Sequence, residues 1–454
     1  MSQLPLQGLT YFVRTFGCQM NSHDSERITG MLESMGLLPG EQEDADVVVF
    51  MTCCVREAAD TRLFGQVLSM KNLPEPKGGK RIIAVGGCIG QRDGEFLFEK
   101  LPNLNVVFGT HTIADFPRLI EAAYLEDGQQ ASLADKTEHS STELPSRRAE
   151  DFHAWVPITM GCNNFCTYCI VPYVRGREYS REFNQIVAEV ELLAQQGVKE
   201  VTLLGQNVNS YGRDLYGEPR FAELLRAMDS TGIPRVRFVT SHPKDLSPAT
   251  IEAFAQTKCV LPALHLAVQS GSNRILKAMN RRYTHEHYRE LVQEVRRQVP
   301  DVALSTDIIV GFPGETEEDF LQTLDLARDM NYAQAFTFIY SKREGTPAAK
   351  LIDNTPREVI QERFDRLVEV VQASALDNNK MDEGKTVEVL IEGCSKRDDK
   401  MLSGRNPRNA TVHIPLPEGA STQDFIGQIV PIKIKEAKTW YLKGEFADGF
   451  KLPA

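Results

Sequence analysis

The 454-residue chain has no apolar run near the roughly 20 residues that cross a bilayer, so no membrane-spanning segment is expected. Its start, MSQLPLQGLTYFVRTF, lacks a charged stretch leading into an apolar one, and no secretory leader is expected either. Basic charge is also short: 51 Lys and Arg stand against 62 Asp and Glu, a net of −11. That balance argues against general adhesion to nucleic acid, which needs a basic surface to release counterions, and no DNA partner is expected. The one segment that leans the other way is the tail from Gly384, with eleven Lys and Arg against nine Asp and Glu. Cysteine is plentiful. Nine cysteines without a leader point to a reducing, cytoplasmic setting, where close cysteines more often bind metal than form disulfides.

The chain is too long for one ordinary domain. Within residues 1–125, LTYFVRTF (9–16), ADVVVFMT (45–52), RIIAVGG (81–87) and NVVFG (105–109) read as buried parallel strands alternating with helices, a doubly wound α/β domain. Residues 126–151 hold few large apolar side chains and read as a linker. From 152 to 383 six strand candidates alternate with helices, closed by PREVIQERFDRLVEVVQASALDNNK, which predicts a partial (βα)6 barrel with its chemistry at the carboxyl ends of the strands. Residues 384–454 carry short β patterns between Gly, Pro and Asp turns and predict a small β-barrel of oligonucleotide-binding type.

Two sets of cysteines stand out. MGCNNFCTYCIVP (160–172) holds Cys162, Cys166 and Cys169 within eight residues, just past the first barrel strand. A structural zinc site completed by a distant ligand is one reading of such spacing. Three thiolates on one loop also suit a four-iron, four-sulfide cluster whose fourth iron stays open. The second set is Cys18, Cys53 and Cys88, each in a turn after a predicted parallel strand. They meet in space if those strands are neighbours, on the edge where open α/β sheets bind ligands. Buried core cysteines are the alternative. Cys259 and Cys394 match no ligand pattern and are read as structural.

The loop of Cys162, Cys166 and Cys169 resembles that of the radical S-adenosylmethionine enzymes, in which the cosubstrate itself chelates the open iron. The pairing of both sets resembles the methylthiotransferases, which join an amino-terminal cluster domain to a radical S-adenosylmethionine barrel and a carboxyl-terminal TRAM domain. The resemblance rests on GCQMN (17–21), TCCVRE (52–57), GGCIGQR (86–92), MGCNNFCTYCIVPYVRGRE (160–178), LLGQNVNSYG (203–212), HLAVQSGS (265–272), TDIIVGFPGET (306–316) and GTPAA (345–349). GCQMN looks like the tRNA-modifying MiaB branch, whose product is 2-methylthio-N6-dimethylallyladenosine beside the anticodon. The pattern departs where Cys54 replaces a common serine, where Ala267 replaces a frequent proline, and at Lys342 and Glu344.

The resemblance implies two 4Fe-4S clusters, S-adenosylmethionine, a tRNA anticodon stem-loop as substrate and an electron donor such as flavodoxin or ferredoxin. It also implies two uses of S-adenosylmethionine: methylation of a sulfur held on the open iron of the amino-terminal cluster, and generation of a radical that removes hydrogen from C2 of the adenine. The target base must be turned out of its stack. For the cosubstrate, Gly205, Gln206, Asn207, Ser241, Gln269 and Asp307 are the strand-end candidates, with ordinary capping as the alternative for each. For RNA the candidates are Arg175 and Arg177, with Arg181 beside them, and Arg405, Arg408 and His413 in SGRNPRNATVH (403–413), with Asn406 and Asn409 for base edges or 2′-hydroxyls. Rival readings are a methylthiotransferase acting on threonylcarbamoyl-adenosine or on a ribosomal protein aspartate, and a non-catalytic zinc RNA-binding protein.

Overall fold

A computed structural model describes residues 6–54, 57–126, 128–134 and 144–450. Val55 and Arg56 of TCCVRE, and residues 127 and 135–143 of the expected linker, lie outside the described residues. The chain divides into two compact units, one of Met1–Ala149, Met160–Asn163 and Cys169–Glu178, the other of Glu150–Thr159, Asn164–Tyr168 and Tyr179–Ala454. The segment 160–178 is divided between the two units.

The first unit is built on a parallel sheet in the order Leu38–Pro39, Thr10–Thr15, Val47–Thr52, Ile82–Gly87, Val106–Phe108, Gln130–Ser132. VVVFMT and IIAVGG are buried throughout because both faces are covered. Val47, Val49 and Met51 pack with Ile28, Leu32 and Ile120, while Val48 and Phe50 pack with Leu63, Val67 and Ile89. A strand apolar at every position needs helices on both sides, as in the doubly wound arrangement that the sequence predicts. Strands Thr10–Thr15, Val47–Thr52 and Ile82–Gly87 are immediate neighbours, so the turns that follow them share one edge of the sheet.

In the second unit, strands His153–Pro157, Glu200–Leu204 and Arg235–Phe238 form one parallel sheet, and Ala263–His265, Ala303–Val310 and Gln334–Ile339 another. Bridges from Val236 to Val260 and from Ser241 to Leu266 join them into a six-stranded arc. Helix Arg357–Lys380 follows and leads into a closed five-stranded barrel of Thr386–Ser395, Asp398–Arg405, Thr411–Pro415, Leu442–Phe446 and Ile429–Ala437. The arc and this small barrel fall in one compact unit, joined by a buried polar seam. The Arg237 guanidinium pairs with Glu200 at 2.8 Å and donates to the carbonyls of Asn406 (2.9 Å) and Pro407 (3.1 Å). Arg235 donates to the carbonyls of Arg405 and Glu388.

Candidate functional site

Cys18 is the residue before helix Gln19–Ser34, and Cys88 opens helix Cys88–Asp93. Cys53 follows strand Val47–Thr52. All three therefore sit at the carboxyl edge of neighbouring strands. Cys18 and Cys53 act on one another electrostatically, as do Cys54 and Cys88, and Cys18 also acts on Cys88. Gly17 permits this crowding: at φ +126° it takes a conformation closed to most residues, and a Cβ there would lie 2.4 Å from Cys53 Cβ. Among the described residues no three Cys, His, Asp or Glu side chains surround one point closely enough for a single ion. Soft thiolate donors spread over three adjacent strand ends suit an iron–sulfur group.

The electrostatics separate the four cysteines. Cys18, exposed at the sheet edge, is pulled below the ordinary thiol range by Cys53, helped by Arg175 and the helix-end amides of Asn21 and Met20. Cys88 is pulled down by Cys54 and Arg175. Cys54 is pushed far up, first by its hydrogen bond to Cys88 and then by burial, and stays a neutral thiol.

Arg175, expected at RNA, is instead buried inside this unit. Its Nη2 donates to Asn21 Oδ1 at 2.8 Å and Asp24 Oδ2 at 2.9 Å, both on the helix that Cys18 starts. Burial would raise the Asp24 carboxyl, but Arg175, with His23, holds it at about 2. The RNA assignment of Arg175 is corrected on this geometry, since phosphate does not reach a guanidinium so enclosed. Asn21, His23 and Asp24 were missed because a polar helix start such as QMNSHD reads as solvated. The only sign was their place directly after a ligand candidate. Arg177 is exposed. Cys162 and Cys169 are half-buried, and the Cys162 amide donates to the Gly176 carbonyl.

In the second unit Cys166 is buried and accepts from Arg281 Nη1 at 3.4 Å. Arg281 also donates to the Ala267 carbonyl at 2.5 Å and to the Tyr283 hydroxyl at 2.9 Å. Asn280 and Arg282 on either side have positive φ, the tight turn that points Arg281 inward. Nothing in the periodicity of MNRRYT marks this arginine. The arc's carboxyl ends gather polar atoms that are buried and lack a protein partner: Thr159 Oγ1, Gln206 Oε1, Asn207 Oδ1, Asn209 Nδ2 and His242 Nε2. Five such atoms on adjacent loops fit a polar, nucleoside-sized cosubstrate. Gly205 belongs to the same cradle, since a Cβ there would meet Thr159 Cγ2 at 2.5 Å. Burial, then Arg281 and Lys244, holds His242 well below the ordinary imidazole range, so it is neutral.

Other cosubstrate candidates are less open. Asn207 Nδ2 donates to Asp245, and Ser241 Oγ donates to Asn209 Oδ1 at 3.3 Å. Gln269 has φ +70° and its backbone pairs with Asp307 and Ile309. Asp307 faces His265 Nε2 at 3.2 Å. Arg181 is buried against the Pro157 carbonyl and Glu189.

In the small barrel, Arg408 pairs with Asp382 at 3.0 Å and donates to Asn378, with its side chain only 12% exposed. Asn406 is fully buried and donates to the same Asp382. Both are corrected from RNA contacts to anchors of the 403–413 turn. Arg405 stays partly exposed beside Glu392 at 3.2 Å, and His413 packs edge-on against Tyr441.

Comparison with known proteins agrees with this architecture. The Radical SAM superfamily matches residues 156–327, the uncharacterized protein family UPF0004 residues 10–109, and the TRAM domain residues 380–447. The chain is similar to a tRNA-2-methylthio-N(6)-dimethylallyladenosine synthase of Thermoanaerobacter sp. (strain X514), with 49% identity over 97% of this chain and 93% of the relative. A protein of the same name from Carboxydothermus hydrogenoformans is 46% identical over 96% of this chain and 98% of its own. Among solved structures, the radical S-adenosylmethionine methyltransferase TsrM from Kitasatospora setae superimposes with TM-score 0.54 and 15% identity, over 76% of this chain and 77% of that one, a likeness of fold alone.

Proposed function

Because the chain belongs to the MiaB-type tRNA-2-methylthio-N6-dimethylallyladenosine synthases, a family of radical S-adenosylmethionine methylthiotransferases, we infer that it carries two iron–sulfur clusters. It is a transferase that modifies tRNA, and its substrate on this reading is a prenylated adenosine beside the anticodon. The relatives' shared name favours this over a threonylcarbamoyl-adenosine or a ribosomal protein aspartate. The observation that carries the second cluster is the meeting of Cys18, Cys53 and Cys88 at three neighbouring strand ends around a buried cation.

Cys18, Cys53 and Cys88 would hold one cluster and Cys162, Cys166 and Cys169 the other. When bound, the barrel cluster supplies an electron to S-adenosylmethionine, and the amino-terminal one an iron position for sulfur. The chain's own residues do the rest. Gly205 leaves room at the cradle, and Gln206 and Asn207 offer unpaired acceptors to the cosubstrate's amino group. Ser241, Gln269 and Asp307 end later strands, where ribose hydroxyls or the carboxylate would lie. Neutral His242 offers a nitrogen that can accept or donate without adding charge. Arg177, Arg405 and His413 remain for RNA. A small reduced protein such as flavodoxin or ferredoxin would deliver electrons, and the reaction takes place in the cytoplasm. No helix among the described residues is long and apolar enough to cross a membrane.

Anaerobic reconstitution tests the cluster count. About eight irons per chain support it, and about four, unchanged by replacing Cys18, Cys53 and Cys88 together with alanine, refute it. Mass spectrometry of tRNA from cells lacking the protein tests the substrate: loss of methylthio from a prenylated adenosine is expected, and its retention rejects the assignment.

A further inference from the structure

We propose that Arg175 is a positioning residue for the amino-terminal cysteines, a fixed positive charge that sets how readily a cluster held there accepts an electron. The proposal rests on the reading that Cys18, Cys53 and Cys88 hold such a cluster. Its side chain is buried and clamped by Asn21 and Asp24 at 2.8 and 2.9 Å. Asp24 is the one carboxylate within ion-pair distance among the described residues. Asn21 and Asp24 lie in the first two turns of the helix that Cys18 opens, and Ile170 and Val174 beside Arg175 pack in one apolar cluster with Cys54 and Cys88. The guanidinium therefore lies among the segments that carry the sulfurs, and its charge lowers both the Cys18 and the Cys88 thiol.

The support of Arg175 is equally fixed. It follows helix Val171–Val174, whose Val174 and preceding Ile170 sit in the unit's apolar core. Thr110 Oγ1 donates to the Val174 carbonyl at 2.6 Å. A guanidinium stays charged at any working pH. Potentials of iron–sulfur groups follow net charge and hydrogen bonds at the sulfurs. A cation here favours the reduced, more negative state. An arginine serving only to satisfy buried Asp24 would leave the potential alone.

The test uses the full chain with Cys162, Cys166 and Cys169 all replaced by alanine, so that only the amino-terminal cluster reports. Its reduction potential is read by EPR-monitored titration in four forms: parent, Arg175→Lys, Arg175→Gln, and Arg175→Gln with Asp24→Asn. The expected order is parent and Arg175→Lys close together, Arg175→Gln shifted negative, and the double variant less negative than Arg175→Gln, because it also removes the carboxylate's opposing field. Should Arg175→Gln strand Asp24 and fail to fold, the double variant, which buries no lone charge, carries the comparison. Loss of the cluster in both neutral forms but not in Arg175→Lys also supports the proposal. A potential unchanged in Arg175→Gln, or Arg175→Lys behaving as the neutral forms do, overturns it. A parent that binds no iron overturns the cluster reading as well, whereas the other failures reject Arg175 alone.

Discussion

Replacing Arg237 by alanine should release the small β-barrel from the six-stranded arc. Arg237 and Glu200 are buried together, with Nε 2.8 Å from Oε1, and two carbonyls of the 406–407 turn accept from the same guanidinium. Removing one partner of a buried pair costs about 3–5 kcal/mol, because the other charge is left uncompensated. The two lost hydrogen bonds add about 1 kcal/mol each. The sum, about 5–7 kcal/mol, is comparable with the whole stability of an ordinary domain, about 5–15 kcal/mol. Arg237→Met combined with Glu200→Gln should recover roughly the 3–5 kcal/mol part, since no lone charge remains. The chain has two tryptophans, Trp155 in the arc and Trp440 between the last two strands of the small barrel. With Trp155→Phe, denaturant titration of Trp440 fluorescence follows the small barrel alone. Arg237→Ala should move its transition to lower denaturant and open the 380–385 region to protease. A shift worth less than about 1 kcal/mol, the size of an exposed ion pair, would refute the reasoning.

Gly17→Ala should disturb the amino-terminal site, since its Cβ would meet Cys53 Cβ at 2.4 Å and its φ is +126°. A stability loss of about 1–3 kcal/mol is expected from the backbone alone, with iron per chain falling from about eight towards four; unchanged iron would count against it. Arg405→Ala should lower the salt dependence of RNA binding by about one unit of slope, as for a single lost phosphate contact. Arg408→Ala should instead lower the small barrel's stability and leave the slope alone; filter binding across salt concentrations and thermal melts separate the two. Burial pushes Glu315 up to about 7 from 4.5, against Arg363 and the Gly311 amide. Between those values the native chain keeps a proton that the unfolded chain has lost, so stability falls as pH rises through that window. Glu315→Gln should flatten that part of the profile in denaturation series, and a profile identical to the parent's would reject the assignment.

The sequence by itself determined the elements and the ligand candidates. Fully apolar runs such as VVVFMT can be satisfied only as interior parallel strands, and the strand-to-turn change before Cys18, Cys53 and Cys88 is local chemistry that a linear reading captures. So is the three-cysteine spacing of 160–172. Tertiary structure alone decided which charged groups face those cysteines. Arg175 and Arg408 look in sequence like any solvated arginine, yet each is enclosed beside a carboxylate far along the chain, Asp24 and Asp382. Arg237, Arg281 and the polar start of helix Gln19–Ser34 were illegible for the same reason. Periodicity reports which side chains avoid water, whereas a buried ion needs one specific partner, and that partner is fixed only when distant segments close on each other.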